Sequence, residues 1–353
     1  MIFVFIALAA IWGLGALFKV PASRSWVLTA VVLVAVLLAH ALLPPDNPIP
    51  QLFGGSFAGW ATAVGVLLVI AGYSRGVRAL RSRSTPVEPT QDGPFTDTEL
   101  GRYARHIVLR EIGGPGQKAL KDAKVLVIGA GGLGSPALLY LAAAGVGTIG
   151  VIDDDTVDNS NLQRQVIHAD ARIGTPKVFS AEAAMVAQNP YVTVRPYNRR
   201  LSEEIAEDLF ADYDLILEGS DNFETRYLVN RVAAKLGKPV VGAALTQWEG
   251  QISVWDPAKG APCYECVFPE APAPGLAPSC AEAGVVGPLP GVLGSMMAVE
   301  AIKLISGAGE PLRGRMMIYD ALYADTRSIK LKRRADCPVC GGAHGLDVST
   351  GGA

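Results

Sequence analysis

The sequence predicts an α/β fold: a Rossmann-like, doubly wound, mostly parallel sheet with an antiparallel extension, preceded by three transmembrane helices. Three observations lead to this prediction. Apolar, strand-like runs alternate with helical patterns between residues 124 and 242. The first of these runs leads directly into the glycine pattern Gly129-x-Gly131-x-x-Gly134. Residues 1–73 contain three long apolar stretches.

The three apolar stretches cover about 1–18, 26–43 and 52–73, and none contains Lys, Arg, Asp or Glu. As helices they would span ~27 to 33 Å, about the thickness of a hydrocarbon core. A cleavable signal peptide would need positive charge before its apolar run, but the first cation is Lys19. Buried core helices are the alternative for the other two stretches. We expect residues 1–75 to form a membrane region.

Charge at the ends of the stretches predicts the orientation. Cations lie between the first and second stretches and after the third, at Lys19, Arg24, Arg75, Arg78, Arg81 and Arg83, whereas the turn at 44–48 carries none. The positive-inside rule therefore predicts a multi-pass protein of the inner membrane with its soluble domain in the cytoplasm. Residues 76–95 are interpreted as a linker and 346–353 as a tail. A net charge of −2 gives no indication of a nucleic-acid partner.

The predicted soluble domain, 96–345, contains five runs typical of parallel strands, at 124–128, 148–152, 192–196, 214–217 and 239–242. Helical patterns lie between and around them, at 96–109, 136–144, 176–188 and 291–306. Further strands are predicted at 251–255, 315–319 and 328–332. We expect these three to pair antiparallel with the parallel part of the sheet.

The glycine pattern indicates a nucleotide site. Gly129, Gly131, Gly132 and Gly134 let backbone N–H groups approach a phosphate. Asp153 ends the next strand at about the ~20-residue distance at which a carboxylate binds ribose hydroxyls. These features fit NAD and ATP equally well.

Polar residues beyond the second strand favour ATP. The segment Ser160-Asn161-Leu162-Gln163-Arg164 is followed by Lys177, and Asp221 and Asn222 follow a later strand. Cations and a carboxylate that could bind a metal suit the charge on transferring phosphate, whereas a nicotinamide site needs an apolar slot. An NAD-dependent oxidoreductase is the alternative.

Two C-x-x-C pairs, Cys263/Cys266 and Cys337/Cys340, have the spacing of zinc ligands. Disulfides are the alternative, which a cytoplasmic compartment disfavours. Four cysteines leave no open coordination position, so the predicted zinc is structural. Cys280 is the single unpaired cysteine, and no neighbouring cation indicates a reactive thiolate there.

Over about residues 100–342 the chain resembles the E1-like HesA/MoeB/ThiF family of adenylyltransferases, and within it the molybdopterin-synthase branch. The resemblance depends on a set of motifs taken together, at 102–105, 129–134, 153, 161–164, 176–177, 220–222, 249–251 and 282–284 and at the cysteine pairs. Adenylyltransferases of this size are usually soluble, so the apolar N-terminal region departs from the pattern.

The resemblance implies ATP-dependent adenylylation of the C-terminal glycine carboxylate of a ubiquitin-like sulfur-carrier protein, of the molybdopterin-synthase small-subunit type. It implies that Asp221 binds Mg²⁺, that Lys177 and Arg164 contact phosphate, and that Arg105 reaches the neighbour's ATP across a homodimer. In some relatives a cysteine at the place of Cys280 bonds covalently to the carrier. A thiamine-pathway carrier, a tRNA-modifying reaction and a non-catalytic membrane scaffold are the alternative functions.

Each candidate residue also has an ordinary structural interpretation. Asp221 could cap the following helix, and Asp153 could cap its own loop. Lys177 and Arg105 could be solvated helix residues, and Arg164 could form a surface salt bridge. These alternatives differ in burial and partners, so the three-dimensional structure distinguishes them.

Overall fold

A computed structural model describes residues 2–18, 20–44, 46–83, 93–273 and 283–341. The chain divides into two compact units, the N-terminal unit Met1–Thr90 and the C-terminal unit Gln91–Ala353. Cys280, most of the second half of the predicted linker, and the predicted tail lie outside the described residues.

The N-terminal unit consists of helices α1 (Ile2–Leu17), α2 (Ala22–Leu42), α3 (Pro48–Phe53) and α4 (Phe57–Arg83). Val4, Val36 and Trp60 form its small buried core. Trp12 Nε1 donates a hydrogen bond to Thr29 Oγ1 at 3.2 Å. Apolar residues at most other positions point outward, so the unit is a thin bundle with an apolar exterior.

Two boundaries predicted in this region are wrong. The stretch 52–73 is interrupted by Gly54 and Gly55, whose φ values of 65° and 83° are incompatible with a continuous right-handed helix. Helix α4 therefore starts at Phe57 and continues through Arg83, past the predicted start of the linker at residue 76.

Among the described residues, three helices are long and apolar enough to cross a membrane: Arg24–Leu42, Phe57–Val77 and Pro288–Ser306. Phe3–Leu17 is apolar but shorter. The last of the three long helices belongs to the C-terminal unit, where Leu293, Met297 and Ala301 are fully buried. Length and composition alone therefore do not identify a membrane span, because one of the three helices that meet these criteria packs in a protein core.

The C-terminal unit contains one eight-stranded sheet of order β3-β2-β1-β4-β5-β6-β7-β8. Its strands are β1 (Lys124–Ile128), β2 (Thr148–Ile152), β3 (Thr193–Tyr197), β4 (Leu215–Glu218), β5 (Val240–Leu245), β6 (Glu249–Trp255), β7 (Arg315–Asp320) and β8 (Asp325–Lys330). Strands β1 to β5 pair in parallel, and β5 to β8 pair antiparallel. The predicted Rossmann-like sheet with an antiparallel extension is confirmed, although β8 starts at Asp325 rather than residue 328.

Helices cover both faces of the sheet, and they are α5 (Asp97–Ile107), α6 (Gly113–Asp122), α7 (Gly134–Ala144), α8 (Lys177–Gln188), α9 (Glu203–Ala211), α10 (Phe223–Lys235), α11 (Tyr264–Val267) and α12 (Pro288–Ser306). Alternate residues of β1 face opposite layers: Val125 and Val127 pack with α6, α7, α8 and α12. Leu126 and Ile128 pack with α9, α10 and α11. A strand buried on both faces explains the continuous apolar run in the sequence.

The register brings the carboxyl ends of three strands together. Ile128 lies opposite Ile152 of β2 on one side and Glu218 of β4 on the other. The glycine loop, Asp153 and the loop after β4 therefore begin at the same level of the sheet. Because the connections from β1 and β4 lead to opposite faces here, a crevice opens at this point.

Candidate active site

A cleft of about 1110 Å³ lies at the carboxyl ends of these strands. The predicted site residues that line it are Gly129, Gly131, Gly132, Asp153, Asn161, Arg164, Lys177, Asp221 and Asn222. Gly134, Ser160, Leu162, Gln163 and Arg105 are outside its lining. Nine of the residues predicted for the nucleotide site therefore line one cleft.

The glycine loop has the geometry of a close backbone turn. Gly129 has a φ of 92°, a conformation that favours glycine. An ideal Cβ at Gly134 would lie 1.9 Å from the carbonyl oxygen of Gly129, so α7 can begin there only without a side chain. His168 Nε2 lies 3.0 Å from the carbonyl oxygen of Ala130 and fixes the loop from below.

The three consecutive aspartates have three different environments. Asp153 accepts hydrogen bonds from the backbone N–H groups of Ala130 and Asp155, each at 2.8 Å. The loop-capping contact is therefore present, in a residue that also lines the cleft. Burial raises the pKa of the Asp153 carboxyl, and the nearby Lys177 ammonium opposes that rise. Asp154 lines the cleft, and Asp155 lines it while pairing with Lys177.

Lys177 is the first residue of α8, and its side chain is only 6% exposed. Its Nζ lies 2.6 Å from Asp155 Oδ2. The solvated-lysine alternative is therefore wrong. An ammonium held at the cleft wall by an exposed carboxylate can exchange that partner for a phosphate oxygen.

Arg164 forms no ion pair in the part of the chain that the structure describes, so the surface salt-bridge alternative fails. Its guanidinium donates to Asn161 Oδ1 at 2.9 Å and to the Ser160 carbonyl oxygen at 3.3 Å. Asn161 Oδ1 also accepts from Gln165 Nε2 at 3.2 Å. This hydrogen-bonded turn holds the Arg164 side chain along the cleft.

Asn222, rather than Asp221, caps α10, because its side chain accepts from the N–H of Thr225 at 2.8 Å. The capping alternative for Asp221 is therefore wrong. Asp221 is exposed and lines the cleft, and among the described residues its carboxylate makes no hydrogen bond or ion pair. It can accept a cation or a donor from a ligand.

Sequence reasoning missed several residues of the lining: Gln165, Arg199, Arg200, Arg226, Tyr264 and Phe268 among them. Gln165 directly follows the motif 161–164 and Arg226 lies four residues after the motif 220–222, so proximity in sequence was an available signal. Arg199 and Arg200 follow β3, and only the sheet order brings that strand to this edge.

The predicted trans-acting arginine, Arg105, is exposed on α5. Helix α5 begins with a capping box in which Thr96 and Glu99 satisfy each other's backbone N–H groups. In the described part of the chain, Arg105 makes no hydrogen bond or ion pair, and it lies outside the cleft lining.

The four cysteines of the two pairs come together in a buried cluster. The Sγ distances are 3.9 Å for Cys263–Cys266, 3.6 Å for Cys263–Cys337 and 3.3 Å for Cys266–Cys340. Disulfide sulfurs lie ~2.05 Å apart, whereas four sulfurs around zinc at ~2.3 Å lie ~3.8 Å apart. The cysteine set is thus compatible with tetrahedral zinc, and none of these sulfurs is disulfide-bonded.

The cluster is connected to the cleft through α10 and α11. Asn230 Nδ2 lies 3.7 Å from Cys263 Sγ, and Asn230 Oδ1 accepts from the N–H of Tyr264 at 2.8 Å. The ring of Tyr264 packs against Tyr227 and Trp255 and lines the cleft. The cysteine cluster therefore supports one wall of the site.

Residues 103–339 match the ThiF family. The chain is 49% identical to the sulfur carrier protein adenylyltransferase of Thermus thermophilus over 251 residues, which are 70% of this chain and 93% of that protein. It is 53% identical to the probable adenylyltransferase/sulfurtransferase MoeZ of Mycobacterium tuberculosis, covering 71% of this chain and 64% of that protein. The crystal structure of E. coli MccB with MccA-N7isoASN matches with a TM-score of 0.60 and 25% identity, over 68% of this chain and 75% of that one.

Proposed function

Because the chain belongs to the ThiF family, we propose that it uses ATP to adenylylate the C-terminal glycine carboxylate of a ubiquitin-like sulfur-carrier protein, with release of pyrophosphate. One observation supports this most directly. A single cleft contains the glycine loop, the ribose candidate Asp153, the buried cation Lys177, Arg164 and the free carboxylate Asp221. We assign the carrier to the molybdopterin-synthase small-subunit type.

The proposed reaction needs alignment and charge neutralisation rather than a general base. A terminal carboxylate is already ionised at neutral pH. One of its oxygens attacks the α-phosphorus of ATP, the bond from that phosphorus to the bridging oxygen breaks, and the electron pair leaves with pyrophosphate. Lys177 and Arg164 stabilise the growing negative charge on the phosphate oxygens. Asp153 holds the ribose, and the glycine loop admits the phosphates to the backbone.

Asp221 fits the role of a magnesium ligand. Its carboxylate has no partner in the described residues, lies at the carboxyl edge of the sheet and faces the cleft that contains Lys177 and Arg164. Oxygen ligands of this kind are those that Mg²⁺ prefers. Bound there, Mg²⁺ would neutralise charge on the triphosphate.

Zinc in the cysteine cluster would be structural. All four side chains are buried, and four thiolate ligands complete a tetrahedral site. The metal would join the segment after β8 to α11 and thereby hold Tyr264 in the wall of the cleft.

An ATP–pyrophosphate exchange assay tests the proposed function. Full-length protein in detergent is mixed with labelled pyrophosphate, ATP, Mg²⁺ and a molybdopterin-type carrier ending in diglycine. We expect exchange that requires the carrier, and loss of exchange when its last glycine is removed. Exchange with a thiamine-type carrier alone would change the assigned carrier, and exchange with neither would reject the function.

We further propose that the N-terminal unit anchors the enzyme in the inner membrane, with the C-terminal unit in the cytoplasm. Outward-facing apolar residues such as Leu17, Val27, Leu68 and Val69 are each more than half exposed within this unit. Water would solvate such a surface poorly, whereas lipid would cover it. We expect the protein to float with liposomes and to stay with them after an alkaline carbonate wash; release by carbonate would argue against a spanning anchor.

A further inference from the structure

We propose that Glu218 and Arg226 are positioning residues that clamp the backbone on the N-terminal side of Asp221 and so hold its carboxylate toward the nucleotide. The inference rests on the proposed function, because it assigns Asp221 to the metal of a bound Mg·ATP. Neither residue was predicted as part of the site.

The clamp holds Ser220 from both sides. Glu218 Oε1 accepts hydrogen bonds from the Ser220 N–H, at 2.7 Å, and from the Ser220 hydroxyl. Arg226 Nη2 donates to the Ser220 carbonyl oxygen at 2.8 Å. The two clamping side chains also pair with each other, with Arg226 Nε 3.6 Å from Glu218 Oε2. Every hydrogen-bonding group of Ser220 is therefore engaged.

The residue on the other side of Asp221 is fixed as well. Asn222 is the N-cap of α10, and one turn further on the same helix is Arg226. Asp221 thus lies between two immobilised residues while its own carboxylate makes no hydrogen bond or ion pair in the described part of the chain. A rigid backbone with a free functional group is the arrangement that preorganised sites need.

Stability alone gives a poor account of this ion pair. The Glu218 and Arg226 side chains are only 7% and 12% exposed, and taking such charges out of water costs about as much as their attraction returns. Apolar residues of similar volume would fill the same space. Burial also raises the pKa of the Glu218 carboxyl, which Arg226 opposes. The pair is better explained by the geometry that it imposes on Ser220.

The test measures ATP affinity by titration calorimetry on the full-length protein in detergent, with and without Mg²⁺. Arg226→Lys keeps the charge, but one ammonium cannot replace the planar guanidinium that reaches both Ser220 and Glu218. We expect Mg²⁺ to strengthen ATP binding in the wild type and Arg226→Lys to lose most of that increment, about 10-fold or more. Without Mg²⁺ the two proteins should bind ATP within about twofold of each other.

A double-mutant cycle shows whether Arg226 acts through Asp221. Asp221→Asn should remove the Mg²⁺ increment, and adding Arg226→Lys to it should cost less than about twofold more. Glu218→Gln provides a second variant that keeps the acceptor for Ser220 but not the charge, and should lose a smaller part of the increment. Melting curves show whether each variant is folded.

Arg313→Lys is the matched control, since Arg313 Nε pairs at 2.7 Å with the buried Asp256, outside the cleft lining. It should keep the full Mg²⁺ increment. The inference is overturned if folded Arg226→Lys keeps that increment, if it weakens ATP binding equally with and without Mg²⁺, or if the wild type shows no increment. Because this readout needs no carrier, a wild type that binds Mg·ATP but exchanges no pyrophosphate rejects the proposed function and leaves the clamp standing.

Discussion

At Gly134 the start of α7 and the glycine loop approach so closely that a methyl group has no room. We expect Gly134→Ala to destabilise the protein by about 1–3 kcal/mol or more, because the atom it would meet is backbone and cannot move aside. ATP binding should weaken with it, since the loop must open to relieve the clash. Chemical denaturation and calorimetric titration with ATP measure the two effects.

The control is Gly114→Ala in α6, where an added Cβ would meet nothing within 4 Å. This variant should match or slightly exceed the wild type in stability, because alanine restricts the unfolded chain. Equal stability of the two variants would show that the loop relaxes without loss.

His168, which contacts the glycine loop, is expected to make the stability of the fold depend on pH. Burial lowers the pKa of its imidazole, so below about pH 6.5 the unfolded chain takes up a proton more readily than the folded one. The native state should therefore lose stability as pH falls through about 6.5 toward the lower folded pKa, by at most about 1.4 kcal/mol per pH unit. His168→Gln, which keeps an amide donor for Ala130, should flatten this slope in urea denaturation between about pH 7.5 and 5.5. An unchanged slope would exclude His168 as its source.

Residue identities in the site were predictable only where a motif fixes the role. Gly129, Gly131, Gly132, Asp153, Lys177 and Asp221 belong to motifs in the sequence, and all of them line the cleft. The sequence left open which of the adjacent residues Asp221 and Asn222 caps α10, because either polar side chain could accept the hydrogen bond at the helix start. Glu218 was missed because it ends an apolar strand and pairs with a residue on the following helix.

At the scale of elements, the cysteine cluster joins two loops that the sheet alone would leave independent. We expect Cys340→Ser to lower bound zinc from about one ion per chain to a small fraction, because three thiolates leave an open position. Stability should fall by several kcal/mol, since metal binding contributes directly to folding. Elemental analysis and thermal melts measure both. Full zinc content in folded Cys340→Ser would show that the cluster is not the zinc site.

Helix α10 connects the two parts of the site. Asn222, Arg226 and Asn230 follow one another at intervals of four residues and so share one face. The first two hold the segment around Asp221, and the third contacts Cys263 and Tyr264. A shift of this helix would therefore disturb both the proposed metal-binding carboxylate of Asp221 and the cleft wall.

Elements were predicted well where periodicity or continuous apolar runs identified them. Strands β1, β2, β4 and β5 have no charged residue among their central positions, so burial on both faces was evident. The start of β8 was misplaced because its residues are mostly exposed and carry no apolar pattern at 325–327. In the N-terminal unit the break before α4 depends on the backbone at Gly54 and Gly55, which composition does not reveal.

At the scale of the whole molecule, the prediction of shared sites in a homodimer has a direct test. Arg105→Ala and Asp221→Asn should each abolish exchange, if Arg105 completes the partner's cleft. Mixing the two and allowing subunits to re-associate should restore about a quarter of wild-type exchange, since half of the dimers are mixed and each has one intact site. Asp221→Asn mixed with Lys177→Ala is the control and should restore none. No recovery in the first mixture would show that Arg105 does not complete the partner's active site.

The two units of the chain differ in how far their function is supported. The ThiF family match covers 103–339, which lies within the C-terminal unit. The N-terminal unit lies outside that match, and its proposed role as a membrane anchor is supported by its outward-facing apolar surface.

The distance along the chain between the paired cysteines has a consequence for biosynthesis. Cys263 and Cys337 are 74 positions apart, so the earlier thiols leave the ribosome well before their partners exist. During that interval the earlier thiols are exposed to oxidants and to other metal ions, because the four-cysteine site that would bind zinc is not yet complete. In cells with little reducing capacity, newly synthesised chains should therefore accumulate with oxidised or wrongly paired cysteines. Enzyme that has already folded should be unaffected.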